Sequence, residues 1–278
     1  MKGRGKRRHL ATGRYLVRSI AAAFLILMIG LPIASIVAVT FEDGPVAAWR
    51  ALTSPVALSA LWLTAWTATV VTVINAVLGT LTAWVLTRYR FPGRALLSSM
   101  IDLPFAIPTI VTGLMLVVLY GPQNLVGAWF EQGGFRVLFA PPGIILALLF
   151  VTFPLVVRAV EPVLMEIEQE QEQAAFTLGA WPLTTFRLVI LPAIAPAVLT
   201  GSLMTFVRAL GEFGSVVIVA GNLPRRTLTA PVYVFGAIES GEAHAASAMS
   251  SLLVAVSLVT IMGVDRFARA RKEKRGLT

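Results

Sequence analysis

Predominantly apolar runs alternate with short polar connections along the whole chain. The runs are Leu16–Thr40, Val56–Leu86, Leu96–Tyr120, Gly143–Val160, Ala193–Val219 and Ala245–Val264. A membrane-crossing helix needs roughly 20 such residues, so the pattern predicts about six transmembrane helices in an all-α integral membrane fold. The second run is long enough to include an interfacial turn or a strong tilt. Pro32, Pro104, Pro108, Pro154 and Pro196 fall inside the runs. Membrane helices tolerate such prolines where neighbouring helices or water satisfy the freed carbonyls. Each read singly is an ordinary packing kink. The cluster Asp102-Leu103-Pro104-Phe105-Ala106-Ile107-Pro108 joins a carboxylate to two prolines, and broken helices often border a pathway.

Composition agrees with this picture. Of 278 residues, 57% are hydrophobic and 13% charged, against about 25% charged in soluble domains. The net charge of +9 comes largely from the two ends and one short connection. Lys2, Arg4, Lys6, Arg7, Arg8, Arg14 and Arg18 open the chain; Arg266, Arg269, Arg271, Lys272, Lys274 and Arg275 close it. Arg88, Arg90 and Arg94 flank Phe91-Pro92-Gly93. This distribution argues for topology rather than nucleic-acid binding. Basic flanks stay cytoplasmic, which places the N- and C-termini and the second and fourth connections on that side. Residues 1–15 are expected as a basic tail, 16–266 as the transmembrane domain and 267–278 as a second basic tail. A basic start before an apolar run can imitate a signal peptide. Ile20–Val39 is too long for that and no small-residue cleavage pattern clearly ends it, so it is expected as a retained first span. The chain contains no cysteine, which excludes disulfides and thiolate chemistry. His9 and His244 are far apart in sequence, and no metal site is expected.

The fourth connection is polar in a different way. Glu166, Glu168, Glu170 and Glu172 alternate with Ile167, Gln169 and Gln171. On a helix they form like-charge pairs four residues apart, so the segment must meet water or something basic. Ala174, Ala175 and Leu178 then share one small helical face. Gly179 permits the left-handed conformation that ends a helix. Trp181-Pro182 starts a second short element, and Pro192 stands where the next span is expected to begin. Two short helices with a glycine elbow are thus expected within residues 161–192, with the alanines open to close approach by another protein.

Gln173-Ala174-Ala175, Gly179, Val189 and Leu191-Pro192 follow the spacing E-A-A, three residues, G, nine residues, I, one residue, L-P. The stretch resembles the coupling loop of permease subunits of bacterial ATP-binding-cassette (ABC) importers, with Gln173 in place of Glu and Val189 in place of Ile. The resemblance covers roughly Leu58 to Val264. "DLPFAIPTIVTGLMLVVLYGP" at Asp102–Pro122, "FVTFPLVVRAVEPVL" at Phe150–Leu164 and "RALGEFGSVVIVAGNLP" at Arg208–Pro224 are similar to T-type subunits of sulfate/thiosulfate permeases. Molybdate/tungstate permeases are similar in the same places. The resemblance implies a type I ABC importer permease fold in the bacterial inner membrane and no catalytic residues. It implies that Glu172, Gln173, Ala174, Ala175, Leu178, Gly179, Leu191 and Pro192 form the surface coupled to an ATPase. The chain has no G-x-x-x-x-G-K-[ST] phosphate loop, so ATP and magnesium are expected on a separate subunit. Implied partners are a sister W-type permease or a second copy, two ATP-binding cassette subunits, an extracytoplasmic sulfate/thiosulfate-binding protein, and membrane lipid.

Candidate path residues are Asp102, Pro104, Pro108, Arg208, Glu212 and Asn222. At about 1.5 Å per residue, Arg208 lies roughly 20 Å beyond Pro192, past the midplane of a ~30 Å core. A charge there faces protein or a water-filled path. Arg208 and Glu212, four residues apart, read either as a self-neutralising pair or as a pathway site for a dianion; the two roles are compatible. Asn222, Arg225 and Arg226 lie on the outer side, facing solvent, an arriving anion or a binding protein. An intramembrane enzyme is the rival of another class, but no nucleophile–base set or paired metal ligands recur on one side. A gradient-driven carrier is the other rival and predicts uptake without any ATPase.

Overall fold

The computed structural model describes residues 16–167 and 169–274, and the described elements are helical. In chain order they are α1 (Leu16–Phe41), α2 (Pro45–Leu52), α3 (Pro55–Arg88), α4 (Arg94–Ala106), α5 (Thr109–Tyr120), α6 (Leu125–Gln132), α7 (Pro141–Glu166), α8 (Gln169–Thr177), α9 (Pro182–Leu210), α10 (Gly214–Val219), α11 (Ala230–Glu239) and α12 (Ala243–Lys274). Five are long and apolar enough to cross a membrane: α1, α3, α7, α9 and the Ala243–Gly263 part of α12. The bent pair α4–α5 makes a sixth candidate. The basic 1–15 segment, Glu168 and residues 275–278 lie outside the described residues, and α12 continues as helix into the expected 267–278 tail.

The core is a triad of α3, α7 and α9. Small residues let the three backbones approach closely. A Cβ on Gly79 of α3 would sit 2.9 Å from the Val156 Cβ of α7, and one on Gly201 of α9 would sit 2.9 Å from the Val156 Cα. The α3 stripe Ala68, Val71, Asn75, Gly79, Ala83 and Leu86 is buried at three- and four-residue spacing. Within it, Asn75 Nδ2 donates to Thr152 Oγ1 of α7 at 2.8 Å, and Thr152 Oγ1 donates on to the Leu148 carbonyl at 2.7 Å. α1 packs on α12 and leaves most of its apolar surface exposed.

Two expected spans differ from the pattern. The run Leu96–Tyr120 is two helices meeting at 111°. Pro108 removes an amide donor and drives Ile107 into extended backbone, which ends α4 there. The run Ala193–Val219 is also divided. α9 stops at Leu210, and α10 restarts at Gly214 and packs across α5. At its other end α9 starts at Pro182, well before Pro192.

Pro192 does not begin a helix because a π turn absorbs it. Residues Phe186–Ile190 form the turn, and the Leu191 amide donates to the Phe186 carbonyl. A proline lacks its own donor and its ring collides with the carbonyl four residues back; the widened turn relieves both. Pro32 of α1 stands in the same relation to the π turn Ile26–Gly30.

The α5–α10 crossing depends on Gly113 and Gly214. A Cβ on Gly113 would lie 2.6 Å from the Ser215 carbonyl and 2.9 Å from Ile218 Cβ. Gly113→Val is expected to prise α10 from α5 and destabilise the protein by about 1–3 kcal/mol. The unfolding midpoint in detergent should fall, while Gly236→Ala, within α11 and with a Cβ that meets nothing within 4 Å, should hold it or raise it slightly.

Candidate functional site

Residues 167–181 connect α7 to α9. Ile167 leaves α7 in extended backbone, and α8 follows. Gly179 has φ +81°, and the Ala180 amide donates back to the Ala175 carbonyl at 3.0 Å. That bond belongs to the glycine-terminated Schellman turn. A Cβ on Gly179 would meet nothing within 4 Å, so the demand on this residue is conformational rather than steric. Leu178, Trp181 and Leu183 are 88%, 79% and 76% exposed, which makes an uncovered apolar surface around the turn. Ala174 is exposed beside it and Ala175 half-buried. The element after the elbow is not a separate short helix; it is the first turn of α9, and Leu191 and Pro192 lie within that helix.

Glu172 and Gln173 diverge. Glu172 turns inward and pairs with Arg88, at the end of α3, at 2.5 Å, both side chains being largely buried. Gln173 is exposed. Arg88 Nη2 also donates to the Ile167 carbonyl at 3.3 Å. A cavity of about 390 Å³ lies beside this pair, reaching Trp84, Pro182 and Thr185.

The second group gathers at the α4–α5 bend. Pro104, Pro108, Thr109 and Arg208 line a cavity of about 240 Å³. Glu212 lies past the end of α9, so the Arg208–Glu212 pair closes across a helix break rather than along a helical face, at 2.5 Å. The Glu212 side chain is 1% exposed and that of Arg208 42%. Glu212 Oε1 accepts from the Ser215 amide at 3.0 Å and from Ser215 Oγ at 2.9 Å. It thereby caps the opening turn of α10. Glu212 is thus wholly engaged inside the protein, while Arg208 keeps an open face on the cavity.

Asp102 and Asn222 do not join that cavity. Asp102 is held by Arg158 of α7, whose Nε donates to Oδ1 at 2.8 Å and whose Nη2 donates to Oδ2 at 2.6 Å. The same guanidinium reaches the Ser98 carbonyl at 2.9 Å and pairs with Glu161. Asn222 follows α10 with φ +53° and donates from Nδ2 to the Val217 carbonyl at 3.0 Å, a capping contact. Arg225 and Arg226 are exposed in the next turn.

Sequence reasoning missed Arg158 and the inward partner of Glu172. A signal for the first was present. Arg158 is the lone cation of an apolar run, and an intramembrane charge calls for a partner, which Asp102 supplies. Nothing local marks Arg88, because its partner lies far along the chain.

The family of binding-protein-dependent transport system inner membrane components matches residues 75–273. The sulfate transport system permease protein CysT of Synechocystis sp. is 41% identical over 242 residues, covering 87% of this chain and 85% of that one. The CysT protein of Escherichia coli is 38% identical over 250 residues, covering 88% and 90%. Among solved structures, a bacterial ABC transporter involved in the import of the acidic polysaccharide alginate matches with a TM-score of 0.78 at 15% identity, over 96% of this chain and 98% of that one. The MetNI methionine ABC transporter matches with a TM-score of 0.59 at 20% identity, over 77% and 94%. At such identities the likeness concerns the fold, that of type I ABC importer permeases. The chain belongs to the inner-membrane components of binding-protein-dependent transport systems, in their CysT-type branch, as a multi-pass transport subunit and not an enzyme.

Proposed function

We propose that this chain is a permease subunit of an ATP-driven importer of sulfate and thiosulfate. The observation that carries this reading is the near full-length similarity to CysT sulfate permeases at about 40% identity. That name favours sulfate over molybdate or tungstate. A second permease chain, whether a W-type sister or another copy, completes the path. Two ATP-binding cassette subunits bind ATP and its magnesium, and an extracytoplasmic binding protein selects the anion. Both termini and the α7–α9 connection are cytoplasmic. The exposed apolar surface at Leu178, Trp181 and Leu183 docks on an ATPase, with Gly179 holding the turn.

The continuity of α9 suggests how the two groups cooperate. This helix begins beside the docking turn and runs 29 residues to Leu210, about 43 Å at 1.5 Å per residue. A tilt imposed at Pro182 therefore moves Arg208 at the other end, against the bend formed by Pro104 and Pro108. The open face of Arg208 offers positive potential to a dianion, and its pairing with Glu212 limits how tightly the anion is held.

Uptake of labelled sulfate by the assembled transporter should be competed by thiosulfate and unaffected by equimolar molybdate; molybdate competing as well as thiosulfate would reverse the assignment. Gly179→Val puts a β-branched residue at positive φ, a strain of about 1–3 kcal/mol. It should cut sulfate uptake about tenfold while the chain's level in the membrane stays the same; wild-type uptake would count against the coupling role. The double variant Arg208→Gln/Glu212→Gln removes both charges without leaving either buried alone. It should assemble normally and lose most uptake. Retained uptake would make the pair purely structural.

A further inference from the structure

Arg88 stands where three elements meet. It ends α3, it donates to the Ile167 carbonyl that closes α7, and it pairs with Glu172 of α8. The two side chains are 10% and 15% exposed, so water competes weakly for this contact. The helix breaks between α7 and α8, and a single guanidinium bridges the break. A cation beside the last carbonyls of a helix is favourably placed.

The fit of the pair is incomplete. Arg88 meets Glu172 Oε1 at one point, through Nη2, and the buried Arg88 Nε has no hydrogen-bond partner among the described residues. Thr185 Oγ1, buried at the start of α9, is likewise unpartnered. All three residues line the cavity of about 390 Å³ described above. Trp84 of α3, which also lines the cavity, packs against Phe186, the first residue of the π turn, at a ring separation of 4.4 Å. Unsatisfied buried polar groups are costly and call for an explanation. Here they border the cavity between α3, α8 and α9, which leaves room for the one-point contact to become a two-point fork if α8 rotates.

We infer that Arg88 is a positioning residue that ties the coupling helix α8 to α3, so that a push on the α8–α9 turn reaches α3 and α7 as well as α9. This deepens the proposed transport function and rests on it. α9 receives the push through continuous helix. α3 has no covalent link to the turn, and without the pair α8 is free to move relative to the end of α3.

The test uses the complete transporter in proteoliposomes with its ATPases and binding protein, reading ATP hydrolysed per sulfate imported. ATP-driven uptake by the wild-type chain is established first, and its absence would overturn the transport reading rather than the role of Arg88. Arg88→Ala and the near-isosteric Glu172→Gln should each raise the ratio about fivefold or more, the lower end of a typical coupling between sites. The swap Arg88→Glu/Glu172→Arg should bring it at least about threefold back toward wild type, short of full recovery because Glu at position 88 loses the Ile167 carbonyl. A wild-type ratio in Glu172→Gln, or a swap as uncoupled as the single variants, would overturn the assignment. Should Arg88→Ala fail to assemble, Glu172→Gln and the swap decide it by the same readings.

Discussion

The buried carboxylate of Glu212 is the joint on which the centre of the molecule depends. It sits where α9 has ended and α10 has not yet begun, almost wholly out of reach of solvent. An unpaired carboxylate there would cost several kcal/mol. Arg208 neutralises it from the last turn of α9, and Ser215 supplies two donors from the first turn of α10. One side chain thus satisfies the opening of α10 and holds a cation at the end of α9. Because α10 crosses α5 through Gly113 and Gly214, the same joint sets where the α4–α5 bend lies. Arg208 faces the cavity at that bend because Glu212 leaves it one free side.

The breaks in the bundle follow one rule: in an apolar medium, every backbone group must find a partner nearby. At Pro108 the chain turns sharply and restarts as α5. At Pro32 and Pro192 it instead widens into a π turn and continues. The difference matters mechanically. A bend uncouples α4 from α5 in direction, whereas a π turn keeps α9 a single rod from the Gly179 turn to Arg208. Pro154 and Pro162 stay inside α7, and Pro196 inside α9.

Much of this architecture was legible in the apolar runs, since burial in lipid demands length and composition that few other segments share. The number of spans, the polar connection, the role of Gly179 as a helix stop and the helix break in the Asp102–Pro108 cluster all came from local signals. The division of Ala193–Val219 was not legible, because Gly211, Glu212 and Gly214 read equally well inside a membrane helix. Nor was the continuity of α9 across Pro192. Proline preference places a boundary there, and the π turn that overrides it is a matter of hydrogen-bond geometry. Asp102 was legible as a path candidate, but its partner Arg158, on a different helix, was not.

What the sequence by itself determined is the membrane class, which rests on the length and composition of single apolar runs, and the family, which rests on resemblance to known permeases and is borne out by the family match. The tertiary structure alone decided the distant pairings: Glu172 goes to Arg88 and Asp102 to Arg158, while Glu212, matched to Arg208 by spacing, also takes two donors from Ser215. The physical reason is that a buried charge takes whatever partner the packing of α3, α7 and α9 brings within about 3 Å. That packing is fixed by glycine and alanine contacts whose partners lie scores of residues away along the chain.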